Sequence, residues 1–220
     1  MILKILTYLL PWSLRRRALE RWFHFEIHPT ARLGLAWVFP NKLVMGAHAR
    51  IDHFTVAIHL DRLELGAHAT IGRGNWITGF PTNTDSPHFR HQTDRQACLL
   101  VGESAAITKD HHIDCTNTIE IGAFSTVAGY QTQFLTHSID VLENRQHSAP
   151  IRIGAYTFVG TNSVILGGAV LPACSVLGAK SLLNKVFAEE WTLYGGVPAQ
   201  ALRPLPRTAK YFTRTEGFVY

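Results

Sequence analysis

The sequence predicts an all-β solenoid of stacked three-sided coils, with a helical cap in front and a short helix or tail behind. Its first sign is a period of six. From Ile153 the chain reads I-G-A-Y-T-F, V-G-T-N-S-V, I-L-G-G-A-V, L-P-A-C-S-V, L-G-A-K-S-L and then Leu183. One position is always aliphatic, at Ile153, Val159, Ile165, Leu171, Leu177 and Leu183, and four residues on the side chain is always small, at Thr157, Ser163, Ala169, Ser175 and Ser181. The second sign is what this period excludes: it fits neither a helix of 3.6 residues per turn nor a hairpin sheet of period two. Short strands joined by tight corners fit it, with the aliphatic side chain turned inward and three units to a coil. The third sign is glycine after the aliphatic residue at 154, 160 and 178, where it is expected to relieve backbone strain at a corner.

These repeats resemble the hexapeptide-repeat acyltransferases. The likeness is strongest in L-G-A-K-S-L-L-N-K-V (177–186) and G-G-V-P-A-Q-A-L-R (195–203), and it runs roughly from Ile27 to Leu205. Within that family the chain is most similar to the sugar O-acetyltransferases of surface-polysaccharide clusters. The resemblance implies a left-handed parallel β-helix. The hand rests on it alone, because the general preference for right-handed crossovers would give the opposite.

Taken in order, residues 1–26 form a helical segment. Its apolar run is interrupted by Pro11 and is too short to span a bilayer. A secretory signal would carry its positive charge first, whereas Arg15, Arg16, Arg17 and Arg21 follow the apolar run. Ser13 is the expected cap of a second helix with Leu14, Ala18, Leu19, Trp22 and Phe23 on one side. Two compatible readings follow: a cap over the open end of the solenoid, or an anchor with its apolar side in lipid and its arginines on headgroups. Residues 27–205 are the β-helix. Two-residue slips fall between Ala57 and Leu65 and between Ile113 and Ile121, and polar excursions interrupt the period at 81–96 and 138–150. After Leu183 a helix or irregular tail is expected, with 206–220 extended or partly disordered.

Composition narrows the partners. The net charge is +5, from 21 Lys and Arg against 16 Asp and Glu, and part of the excess lies in the tail at Arg203, Arg207, Lys210 and Arg214. No base-reading module accompanies it, so nucleic acid is not an expected partner; phosphorylated cofactors or an anionic membrane surface are. The cysteines Cys98, Cys115 and Cys174 form no CxxC pair, which points to a reducing, cytoplasmic compartment with at most a peripheral hold on the inner face of the membrane. Cys174 reads as a small buried hydrophobe inside a repeat.

Acyl transfer to a hydroxyl needs a base, because the hydroxyl is protonated at neutral pH, and imidazole is suited to the task. The chain holds 12 histidines, so histidine alone says little. His137, in F-L-T-H-S-I-D before the second excursion and the P-I-R-I-G restart, matches the family's catalytic histidine. Asp140, Glu143 and Asp114 are candidates for the carboxylate that orients it. His111, His112, Asp114 and Asn117, one coil earlier, are candidate acceptor contacts; the alternative is solvated corner residues.

The resemblance implies acetyl-coenzyme A as donor, lying in a groove between subunits of a homotrimer. By position it assigns Gly160 and Thr161 to the thioester end, Gly178 and Ala179 to the pantetheine arm, and Asn184, Lys185 and Arg203 to the nucleotide end. A backbone N–H near Gly160 is the expected oxyanion donor. Val164, Val170, Val176 and Leu182 are expected to point outward as one aliphatic stripe, an association surface. The leading expectation is therefore an O-acetyltransferase acting on a sugar or glycan hydroxyl, with no metal. The rivals are an N-acetyltransferase of an amino sugar, a zinc enzyme resembling the γ-type carbonic anhydrases built from His111, His112, His137 and His147, and a catalytically silent scaffold.

Overall fold

A computed structural model describes residues 2–217 and 219; Met1, Phe218 and Tyr220, at the ends of the expected cap and tail, lie outside the described residues. The six-residue period becomes three flat faces of stacked parallel strands. The first face runs from Glu26–Ile27 to Val170–Leu171, the second from Arg32–Leu33 to Val176–Leu177, and the third from Trp37–Phe39 to Leu182–Leu183. Val164 pairs with Leu182 and Phe158 with Val176, each eighteen residues on, as three units of six require. Where the sequence slips by two the coil lengthens: Val56 pairs with Trp76, twenty residues on.

Inside, the lining is apolar and continuous. Ile153, Val159, Ile165, Leu171, Leu177 and Leu183 are all buried, and so are the small residues Thr157, Ser163, Ala169, Ser175 and Ser181. Two of the buried hydroxyls bond to corner carbonyls: Ser163 Oγ donates to Gly160 O at 3.0 Å and Ser175 Oγ to Ala173 O at 3.1 Å. The glycines have a different role from the one expected. Positive φ falls two residues later, at His68, Tyr156 and Asn162 among others. At Gly160, instead, an added Cβ would lie 2.4 Å from the backbone nitrogen of Ala179 in the next coil. Glycine there permits coils to stack at main-chain distance.

Several expectations need correction. Successive units of six lie on successive faces, so Val164 and Leu182 share the third face while Val170 stands on the first and Val176 on the second. They do not form one stripe. Cys174 is only partly buried, because it occupies a corner with φ of 53°. Beyond Leu183 the chain makes an antiparallel hairpin, Thr192–Gly196 with Ala199–Pro204, which extends the second face. A single helical turn, Lys210–Phe212, follows, and the tail folds back on the solenoid: Tyr211 Oη donates to Thr157 O at 2.7 Å, and the Arg214 guanidinium lies 3.9 Å over the Tyr211 ring.

The front segment forms helix α1 (Ile2–Leu6), a 3-10 turn (Thr7–Leu9) and helix α2 (Trp12–Phe23). Pro11, not Ser13, stands at the N-cap of α2, and Leu14 and Trp22 are exposed while Arg15, Ala18 and Leu19 are buried. Arg15 closes the first coil by donating from Nη1 to Gly34 O at 2.8 Å beneath the Tyr8 ring. No helix among the described residues is long and apolar enough to cross a membrane.

Candidate active site

The corner that enters the third face carries a column of inward polar residues: Thr55, Asn75, His111, Thr132, Ser163 and Ser181. His111 belongs to this column, which explains why the corner is no longer small at that point. Its backbone N–H donates to Asn75 Oδ1, its Nδ1 accepts from Thr132 N at 3.1 Å, and its Nε2 meets Thr108 Oγ1 at 3.0 Å. Both ring nitrogens are engaged inside the solenoid, so His111 is neither an acceptor contact nor an available zinc ligand. Burial drives its pKa down to about 4 from an ordinary 6.5.

A consequence follows for stability. The unfolded chain takes up a proton on this imidazole that the folded chain resists, so its contribution is complete above pH 6.5 and is lost as pH falls toward 4. The loss is on the order of 3 kcal/mol. Urea unfolding at a series of pH values should show this slope, and His111→Asn should flatten it whatever the variant's absolute stability.

The opposite corner, leaving the third face, holds His137. Strand His112–Asp114 turns Ile113 inward, so His112 and Asp114 face out. One coil on, strand Gln133–Leu135 ends at Thr136 and His137. The His137 imidazole meets Asp114 there: Nδ1–H donates to Oδ2 at 2.7 Å. The carboxylate is held on both sides. Thr136 N and His137 N donate to Oδ2 at 3.1 and 3.3 Å, while Thr116 N and Oγ1 donate to Oδ1 at 3.1 and 2.7 Å. Burial alone would raise the Asp114 pKa, but the hydrogen bonds from His137, Thr116 and Thr136 outweigh it and hold the carboxyl below its ordinary value. The same hydrogen bond raises the His137 pKa against a smaller opposing effect of burial. With Nδ1 carrying the proton, Nε2 is left as the free acceptor.

Asp114 is therefore the orienting carboxylate, and Asp140 and Glu143 are not. In the hairpin His137–Asp140 with Arg145–Ser148, His137 and Ile139 share one side with Ser148 and Gln146, and alternation puts Asp140 on the other. Asp140 Oδ1 instead accepts from Leu142 N and Glu143 N, at 3.0 and 3.1 Å, and shapes the hairpin tip. Asn117 is also structural. It is buried, and its Nδ2 donates to Ser148 Oγ at 3.1 Å, tying the hairpin to the coil.

The two excursions meet beside His137. Gln92 Nε2 donates to Ser148 O at 2.7 Å, and its Oε1 accepts from Ser148 N at 3.0 Å. Phe89 stands edge-on to the His137 ring at 6.2 Å. Arg95 fixes that loop from beneath: it is buried, lies 4.7 Å under the Phe89 ring, and donates to Thr116 O at 2.6 Å. A cavity of about 290 Å³ opens between the excursions, lined by Phe89, His91, Ile139 and Gln146 among others. Sequence reasoning missed Phe89, Gln92 and Arg95, which lie in a stretch with no period to give them an address.

The remaining candidates divide by corner. Ile165 pairs with Leu183, so Asn184 and Lys185 leave the third face on the same side as His137, two coils or about 10 Å above Leu135 and Thr136. Gly160, Thr161, Gly178 and Ala179 lie at the opposite corner, across strands two or three residues long. Gly160 N is not the oxyanion donor, because it already donates to Leu177 O at 2.8 Å. The Thr161 hydroxyl donates to Tyr130 O at 3.0 Å. Ala179, Asn184, Lys185 and Arg203 are exposed, and Lys185 Nζ donates to Gln200 Oε1 at 3.2 Å. Arg203 sits apart, on the terminal hairpin of the second face. His112 remains accessible, beside Gln133 in a shallow cavity of about 260 Å³.

No protein-family model and no curated protein matches the chain. Solved structures do. The chain is similar to the polysialic acid O-acetyltransferase OatWY, with a TM-score of 0.62 and 18% identity over 85% of this chain and 90% of that one. It is also similar to a Bacillus cereus protein described as a candidate acetyltransferase, with a TM-score of 0.51 and 18% identity over 83% of this chain and 79% of that one. These likenesses establish the fold, the left-handed parallel β-helix of hexapeptide repeats.

Proposed function

We propose that the protein is an acetyltransferase of the hexapeptide-repeat family, which passes an acetyl group from acetyl-coenzyme A directly to a hydroxyl of a sugar or glycan precursor. One observation carries this reading: the His137–Asp114 pair at 2.7 Å, which fixes the imidazole with Nε2 as its acceptor, the ring standing 6.2 Å from Phe89, which lines the cavity between the excursions. The donor supplies a thioester carbonyl. Exposed Asn184 and Lys185, on the His137 side of the third face, fit its phosphate end, with Ala179 along its arm and Arg203 as a further cation.

Nε2 of His137 takes the acceptor's proton as its oxygen attacks, and the Asp114 carboxylate stabilises the imidazolium that forms. As the carbon–sulfur bond breaks, His137 returns the proton to the departing thiolate. The acceptor lies between the excursions, against Phe89, Ile139 and Gln146. OatWY, by its name an O-acetyltransferase of a sialic acid polymer, lends the glycan acceptor its support.

The protein is read as cytoplasmic, in keeping with its free thiols, and as a homotrimer. Among the outward side chains of the third face, Trp76, Val164, Leu166 and Leu182 are apolar and at least partly exposed, a patch that a second copy would cover. Incubation with acetyl-coenzyme A and a panel of sugars, nucleotide sugars, amino sugars and lipid-linked glycans tests the reading. Free thiol should appear with an acetyl ester on one acceptor. Acetamide formation would move the assignment to N-acetylation, and no acceptor-dependent thiol from any member of the panel would end it.

A further inference from the structure

The front segment is tied down through its turn and α2, and not through the apolar side chains of α1. Thr7 is fully buried, Tyr8 stacks on Trp37 at 5.9 Å, and Arg15 and Leu19 are buried against the first coil. These contacts close the open end of the solenoid. Helix α1, by contrast, buries no residue. Ile2, Leu3, Ile5, Leu6 and Leu9 all face solvent, with Ile2 at 75% and Leu9 at 78% exposure. The one charge in α1, Lys4, lies 4.7 Å over the Phe39 ring.

On the following helix, the charges without an ion pair among the described residues have one sign. On α2, Leu14, Arg17 and Arg21 are spaced i, i+3 and i+7 and so share a stripe; all three are exposed. Neither arginine makes an ion pair among the described residues. The nearby carboxylates are engaged, Glu20 with Arg16 at 2.6 Å and Glu26 with Lys42 at 2.9 Å. An anionic surface with an apolar interior complements both features.

We infer that this end of the solenoid docks on an anionic lipid bilayer, with Ile2, Leu3, Ile5, Leu6 and Leu9 in the acyl boundary and Arg17 and Arg21 on the headgroups. The β-helix then stands on the membrane by its capped end. The docking is independent of the proposed reaction.

Flotation with lipid vesicles tests it. The full-length protein should float with vesicles of phosphatidylcholine mixed with phosphatidylglycerol, and far less with phosphatidylcholine alone. Ile5→Glu/Leu9→Glu, which alters only exposed positions, should abolish flotation while leaving the thermal transition in place. Arg17→Gln/Arg21→Gln should bind the anionic vesicles about thirtyfold more weakly, each basic residue near such a surface contributing about fivefold. Failure of the native protein to float with the anionic vesicles overturns the inference. So does light scattering that shows Ile5→Glu/Leu9→Glu lowering the particle mass, which would make another protomer the occupant.

Discussion

His137→Ala is expected to reduce acetyl transfer by about 10²–10⁴-fold, the usual contribution of a positioned base. The imidazole side chain is 44% exposed and, among the described residues, its hydrogen bond goes to Asp114 alone, so its removal leaves no buried donor stranded. Thermal stability should change little. Acceptor-dependent thiol release, measured alongside donor binding, separates lost chemistry from lost affinity. A variant that keeps full activity would remove His137 from the reaction.

Asp114→Asn should be nearly as damaging, and for more than one reason. The carboxylate accepts from Thr116 on one oxygen and from Thr136 and His137 on the other. An amide has one oxygen, so its NH₂ must face donors on one side, a mismatch costing about 1–3 kcal/mol in a partly buried site. The imidazolium would also lose its counter-charge. We expect a rate loss of about 10²-fold or more.

The pH profile distinguishes this from simple misfolding. As the proposed base, His137 would work unprotonated, and Asp114 raises its pKa, so the native rate should fall with decreasing pH through a value above 6.5. In Asp114→Asn that limb should move toward lower pH. An unmoved limb would mean that another group orients the base. The pair also shapes stability. The Asp114 contribution is lost as pH falls below its ordinary 3.8, and that of His137 as pH rises past its ordinary 6.5. Both are present between these values.

The repeat was legible because burial imposes it. Every sixth residue lines the interior, and the lining from Ile153 to Leu183 was readable residue by residue. His137 was legible through its place before an excursion. Its partner was not: Asp140 lies three residues away in sequence and Asp114 twenty-three. Alternation along the strand turns Asp140 to the far side, while stacking brings Asp114 to 2.7 Å. His111 shows the converse case. A polar residue at a corner looked like a site residue, but this corner faces inward and the backbone of the next coil engages its ring.

By itself, then, the sequence determined the period and the inner lining, because both follow from the local alternation of buried and exposed side chains, and its family resemblance pointed to His137. Tertiary structure alone decided which carboxylate meets His137, how Phe89, Gln92 and Arg95 join the two excursions, and which front residues remain in solvent. Those choices depend on contacts between neighbouring coils, whose register is set by the lengths of the slips and excursions between them.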